Sequence, residues 1–411
     1  MLTQHQNDLL TRTGPGTPGG RLLRAYWQPV AIDRDLLPGG PPLHVRILGE
    51  DLVLFRDEEG RPGLLGLRCP HRKADLSYGR IEGGGIRCVY HGWAFDIRGR
   101  CLEQPGEPRN SNYKDRIRHT AYPCIEVPGL ILTYMGEGEP PALPPFPFFS
   151  APRAHVWTRR MINECNYLQG SEGNVDPQHL SFLHRVDTGA QVTYGSYLAS
   201  DEAPAIDVEQ TAWGLRVETS RDIGESQRYV RTTNFIMPNN GSFVGVPLVD
   251  PKISPPDSND GYSLNWHVPV DDHNHMKYAI VYRISGPVDP ELQERYIANG
   301  LEPDLSWKRN RQNRYLQDRE EMRTSTYLGM GANFQDHDRW VTESMGPIVD
   351  RTTENLGATD RAVIAMRRQM LAAIEAMEKG EKPPFVHARA EDYGLDQFFT
   401  GSRIVSARAA E

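Results

Sequence analysis

CPHRKADLSYGRIEGGGIRCVYHGW, residues 69–93, places two of the chain's five cysteines in one short stretch, each with a histidine beside it. The order is Cys69-x-His71, sixteen residues, then Cys88-x-x-His91. Thiolate and imidazole are both transition-metal ligands, and two loops that each offer one of each can hold a single metal or a cluster. A zinc finger groups Cys with Cys and His with His. Here the types are interleaved, which favours a cluster, with structural zinc as the competing reading. Pro70, Gly83 to Gly85 and Gly92 suit loops that bring backbone N–H groups close to the sulfurs.

The rest of the composition narrows the class. At 411 residues the chain can bury two domain cores. Its 46 Lys+Arg against 54 Asp+Glu give a formal net charge of -8, and without a basic run neither nucleic acid nor an anionic membrane is an expected partner. No apolar window of about 18 residues and no leader pattern is present, so a soluble, cytoplasmic protein is expected. Cys101, Cys124 and Cys165 make the cysteine count odd and thinly spread, which argues against a disulfide framework. They read as small buried hydrophobes.

The pattern divides the chain into a helical N-terminal segment (1–26), a strand-rich domain (27–145) and a larger α+β domain (146–411). Leu22, Leu23, Tyr26 and Trp27 predict a helical turn or two, and residues 46–55 a hairpin. The proline-dense run after Gly136 marks the boundary. Beyond it we expect a helix around 165–185, strands at 229–237 and 276–284, and an amphipathic helix carrying Val363, Met366, Met370, Ile374 and Met377, stopped at Gly380. Residues 14–19 spell Gly-x-Gly-x-x-Gly, but no strand precedes them, and Pro15 and Pro18 remove donors that a pyrophosphate loop needs. His273-Asn-His275, beside Asp271 and Asp272, reads as a hairpin turn.

A second constellation, Glu172-Gly-Asn174-Val-Asp176-Pro-Gln-His179-Leu-Ser-Phe-Leu-His184, falls within the expected 165–185 helix. Two neutral imidazoles and one carboxylate make a facial ligand set for iron(II), leaving positions open for dioxygen. Asp176, three residues before His179, can share its face. The competing reading is structural: Asp176-Pro177 as a helix N-cap with proline at N1, and either histidine as a satisfied core residue.

Cys69-Pro-His71-Arg and Cys88-Val-Tyr-His91-Gly-Trp93 match a Rieske [2Fe-2S] centre and resemble the motif of the Rieske ring-hydroxylating oxygenases, whose Asp-x-x-His-x-x-x-x-His recurs here downstream. The respiratory Rieske proteins carry an extra cysteine in each loop; Lys73 and Ala74 stand where the first would lie. Fewer hydrogen bonds to the sulfurs and two neutral imidazoles point to the low end of the Rieske range, roughly -150 mV. Residues 14–30 and 343–360 are similar to the phthalate-dioxygenase branch, so the resemblance covers nearly the whole chain.

The resemblance implies an oxygenase α-subunit with an all-β Rieske domain and a C-terminal antiparallel sheet of helix-grip type. Cys69, His71, Cys88 and His91 would ligate the cluster, and His179, His184 and Asp338 a mononuclear Fe(II), with Asp336 the nearest competitor for the carboxylate. Asp176 would accept a proton from His179 and meet His91 of the next subunit in a head-to-tail trimer or a multiple of it. Glu172 and Asn174 are candidates for the surrounding shell. The implied partner is a separate NAD(P)H-dependent reductase carrying FMN and a plant-type [2Fe-2S] cluster. The implied reaction uses dioxygen to cis-dihydroxylate an aromatic carboxylate of phthalate-like or phenoxybenzoate-like type. O-demethylation of a methoxylated aromatic acid is the alternative, and a pure electron-transfer Rieske protein the different class. An acidic substrate calls for an arginine fork; Arg216 and Arg231, on strand-like runs, are the candidates.

Overall fold

The computed structural model describes residues 1–185, 194–244, 259–295, 300–302 and 306–406. In the N-terminal half, Leu43–Ile47 and Glu50–Arg56 form the expected hairpin. Leu48 (φ 50°) and Gly49 (φ 80°) turn it, both left-handed as a tight two-residue hairpin requires. The sheet continues through Pro62–Gly66 to Ala121–Tyr122, all antiparallel. A second sheet of four very short strands, Arg80–Ile81, Ile86–Arg87, Ala94–Phe95 and Cys101–Glu103, carries the Cys88–His91 loop between its middle pair. Val53, Phe55, Leu65, Leu76, Ile86 and Phe95 bury the space between the two sheets together with Cys69, Cys88 and Cys101.

Gln28–Ile32, Leu130–Thr133 and Cys124–Val127 make a small sheet whose core is continuous with that of the C-terminal half. The two halves also meet at the Leu48–Gly49 turn, whose N–H groups donate to the carbonyls of Pro269 and Val270.

The C-terminal half is one antiparallel sheet in the order 156–163, 275–283, 261–269, 240–243, 227–236, 214–224, 205–211. The long strand Gln227–Ile236 pairs with Asn240–Phe243 over its last residues and with Gly401–Ser406 over its first, so two short strands share one edge. Tyr167–Val175, Phe334–Ser344 and Arg361–Glu378 are among the helices packed around it. The last buries Val363, Met366, Met370 and Ile374 as their spacing predicts. Full burial of Met366 and Met370 contributes about 1.5–3 kcal/mol each. Among the described residues no helix is long and apolar enough to cross a membrane.

Two expectations are corrected. The N-terminal segment holds two helices, Gln4–Thr11 and Pro18–Arg24, and Tyr26 and Trp27 lie beyond the second. Both dock on Arg361–Glu378. Gly19 belongs to this packing, since a Cβ there would lie 2.5 Å from the Leu9 carbonyl. The expected helix at 165–185 stops at Val175. Asp176 turns extended (φ -80°, ψ 111°) because the following Pro177 disfavours the helical region, and His179–Ser181 form a separate short 3-10 turn.

Candidate metal centres

The two cysteine loops close in the same way. Cys69 N–H donates to Ala74 O and Lys73 N–H to Cys69 O; Cys88 N–H donates to Trp93 O and Gly92 N–H to Cys88 O. The matching residues Lys73 (φ 64°) and Gly92 (φ 75°) are both left-handed. The sulfurs are buried and the imidazoles exposed. The rings of His71 and His91 lie 4.6 Å apart, with Trp93 stacked on His71 at 4.5 Å. Burial pushes the Cys69 thiol up to about 11, with Cys88 beside it, while the N–H groups of His71 and Arg72 point at its sulfur and oppose the shift. Two buried thiols aimed at one another, ringed by backbone donors and edged by two imidazoles, fit a [2Fe-2S] cluster with histidines on its outer iron.

The second centre forms where three segments converge. The Asp176-Pro177 break delivers His179, the turn after it His184, and the Phe334–Ser344 helix Asp338. Asp338 Oδ1 lies 3.0 Å from His184 Nε2 and 3.8 Å from His179 Nε2. Among the described residues these three offer ligand atoms that all lie within 4.8 Å of one another. Asp336, two residues earlier, faces another way round the helix, 3.7 Å from Arg309. Two imidazoles and a carboxylate gathered on one side are a donor set for iron(II).

The surroundings fix each ligand. His337 Nε2 lies 2.9 Å from Gly331 O, and its Nδ1 lies 3.1 Å from His184 Nδ1. The carbonyl can only accept, so His337 donates from Nε2 and accepts at Nδ1. His184 then carries its proton on Nδ1 and offers the Nε2 lone pair to a metal. Burial drives His337 down to about 4 and lowers His184 against the pull of Asp338, so both are neutral near pH 7. Phe334 stacks on His184 at 4.3 Å.

Asp176 Oδ1 accepts from Gln178 N–H, and its Oδ2 stands 3.6 Å from His179 Nδ1. Burial alone would raise the Asp176 carboxyl, but His179 and the neighbouring N–H groups outweigh it and hold it below its usual value. Burial likewise opposes, and Asp176 and Asp338 more than restore, the charge on His179, which is raised. Buried Lys277 donates to Gln335 Oε1 at 2.6 Å and lies 4.0 Å from Asp338 Oδ2. Asp338 is itself held far below the ordinary carboxylate range: burial pushes it up, and His184 and Lys277 overcome that.

The other sequence candidates fall in different places. Arg231 is buried and lines the cavity at the triad. One of its Nη groups donates to Val244 O, and among the described residues it has no carboxylate partner. Arg216 lies elsewhere, paired with Glu209 at 2.6 Å and set over the Trp213 ring, which removes it from the anchor role. Glu172 bridges Arg351 and Arg367 and so ties the helix before the site to the C-terminal helix. Asn174 exchanges hydrogen bonds with Asn265, a contact that requires Gly241, whose Cβ would lie 2.8 Å from that of Asn174.

Sequence reasoning missed Lys277, His337, His267 and His275. Lys277 interrupts an apolar strand, which is a readable signal; His275, expected within the 271–275 turn, instead opens the strand His275–Arg283 and is fully buried.

Family models match both halves: a Rieske [2Fe-2S] domain over residues 26–121 and a LigXa C-terminal domain-like model over 133–391. The chain belongs to the Rieske oxygenase family. This Rieske oxygenase is 37% identical over 403 residues to the phthalate 4,5-dioxygenase oxygenase subunit of Pseudomonas putida, covering 93% of this chain and 88% of that one. It is 33% identical to the 5,5'-dehydrodivanillate O-demethylase oxygenase subunit of Sphingobium sp. (93% and 83% covered). Its fold matches dicamba monooxygenase bound to dicamba with a TM-score of 0.62 at 19% identity, covering 87% and 99% of the two chains. The protein is therefore an oxygenase subunit, an oxidoreductase with a Rieske [2Fe-2S] cluster and a mononuclear non-haem iron.

Proposed function

We propose that this oxygenase hydroxylates an aromatic carboxylate, with Cys69, His71, Cys88 and His91 holding the cluster and His179, His184 and Asp338 the mononuclear iron. The observation that carries the substrate class is Arg231, a buried guanidinium without a carboxylate partner among the described residues, in the cavity that the triad shares with Leu180, Leu198, Phe243 and Phe334. An arginine fork matches a carboxylate, and the apolar walls suit a ring. Phthalate and dehydrodivanillate, named in two relatives, are both aromatic carboxylates. The demethylase relative supports O-demethylation as a second reading.

When bound, the iron supplies dioxygen activation. The chain's own residues do the rest. His337 holds His184 in the metal-binding tautomer, Lys277 faces the outer oxygen of Asp338, and Arg231 holds the substrate carboxylate. Electrons enter from a separate reductase at the exposed His71–His91 edge. The bridge between cluster and iron then runs from His91 of one copy to Asp176 of the next. Val89 and Tyr90, exposed at that edge with the Tyr90 ring 3.7 Å from His91, supply an apolar contact for it, and a head-to-tail ring such as a trimer closes the arrangement.

The test is iron and acid-labile sulfide per chain, with EPR, for wild type and His179→Ala. About three irons and two sulfides are expected in the wild type, and loss of one iron with the Rieske signal intact in the variant. Two irons in both proteins would sink the reading.

A further inference from the structure

The triad lies where two cavities meet. One, of about 70 Å³, is the Arg231 cavity. The other, of about 190 Å³, runs between the sheet and the Tyr167–Val175 and Phe334–Ser344 helices, with Asn163, His267 and Lys277 in its wall and the half-exposed Met345 at its outer end. Asp176, His179 and Asp338 line both.

The polar cavity contains acceptors that the protein does not use. His275 Nδ1 lies 2.8 Å from the Cys165 carbonyl, and His275 Nε2 lies 2.9 Å from His267 Nδ1. Because a carbonyl only accepts, His275 is protonated on Nδ1, its Nε2 accepts from His267 Nδ1–H, and His267 Nε2 is left as a bare lone pair. That atom is buried without a partner among the described residues, and so is Asn163 Oδ1, in side chains only 2% and 4% exposed. Lys277 gives one donor to Gln335 and has two more.

The fold makes room for this imidazole. Gly170 sits inside the Tyr167–Val175 helix, where glycine is unfavourable relative to alanine, yet a Cβ there would stand 2.3 Å from His267 Nδ1. Two buried acceptors facing an ammonium across a cavity of this size are the requirements of bound water, which takes two to four polar partners and about 30 Å³ per molecule.

We propose that this cavity is hydrated and is the path by which protons reach the metal site, with ordered waters donating to His267 Nε2 and Asn163 Oδ1, accepting from Lys277, and continuing to Asp338. The inference rests on the proposed function. In cis-dihydroxylation the O–O bond breaks and two C–O bonds form, as ArH + O2 + 2e⁻ + 2H⁺ gives ArH(OH)2. Demethylation likewise takes two electrons and two protons per dioxygen. The electrons come from the reductase and the protons from bulk water. A substrate carboxylate on Arg231 would occupy that cavity, which leaves the second one for protons.

Two measurements test it. A crystal structure of the iron-loaded protein, at a resolution that orders internal water, should show water within hydrogen-bond distance of His267 Nε2 and Asn163 Oδ1; a dry cavity overturns the proposal. In the holoenzyme with its reductase, His267→Phe should keep its iron and Rieske signals and its KM. Its kcat should fall at least about tenfold, with a larger solvent deuterium isotope effect. His267→Gln, whose amide oxygen can accept from the same water, should recover most of the rate. A His267→Phe enzyme with wild-type kcat and isotope effect overturns the route. Failure of wild type on every aromatic acid would count against the substrate class alone, because waters and isotope effect are read on whichever substrate turns over.

Discussion

Replacing His337 by phenylalanine removes one acceptor from a site it does not ligate. The ring is fully buried and lies beside Phe334, so a phenyl group fills nearly the same volume. What disappears is the bond from His184 Nδ1–H, and with it the constraint that points the His184 lone pair at the metal. Loss of such an orienting partner costs about 10–100-fold in metal affinity, which is about 1.4–2.7 kcal/mol. The Gly331 carbonyl also loses its donor, adding about 1 kcal/mol of destabilisation independent of metal. Competition with a ferrous chelator gives the iron affinity, denaturant titration of the iron-free protein isolates the second effect, and the Rieske EPR signal serves as an internal control. His337→Gln keeps an acceptor and should retain most of the affinity. Iron affinity within twofold of wild type in His337→Phe would refute the tautomer argument.

Three further outcomes are expected. Arg231→Met should raise KM for an aromatic carboxylate about 10–100-fold, the worth of a charged hydrogen bond, while Arg216→Met changes it less than about twofold; steady-state kinetics with the reductase decide. Glu172→Gln leaves buried Arg351 without a carboxylate among the described residues, while Arg367 keeps Glu354, and the urea midpoint should fall by the equivalent of about 3 kcal/mol. The two arginines overcome burial and hold the Glu172 carboxyl below its ordinary value. Its contribution is therefore complete above the unfolded value near 4.3 and is lost as pH falls through the folded one, so the gap between variant and wild type should close on acidification below about pH 4. Gly170→Ala, which helix propensity would favour by about 1 kcal/mol, should instead lower the melting temperature, because the new methyl meets the His267 ring.

The candidate cysteine and histidine ligands are legible as residue types at fixed short spacings. Cys-x-His and Cys-x-x-His can only present two thiolates and two imidazoles from two loops, and those loops need nothing beyond their own residues to close. The second motif is legible for the same reason, although the pattern predicts a helix to 185 and the helix ends at Val175. Pro177 breaks the chain immediately after Asp176, and the break is what turns the histidines inward.

What lay beyond the sequence was every choice that depends on which face of the sheet a residue occupies. Arg216 and Arg231 sit on adjacent strands, and Gln227–Ile236 is buried along nearly its whole length. Burial on both faces erases the alternation that would have told inside from outside. Lys277, His267 and His275 are brought beneath the iron site by strand register, and His337 meets His184 across 153 residues of chain. Local chemistry therefore points to the cysteine and histidine candidates in sequence, and the family resemblance adds Asp338. The partners that orient them, and the arginine that faces the cavity, exist only once distant strands and helices have packed, because neither register nor facing is encoded in any short stretch.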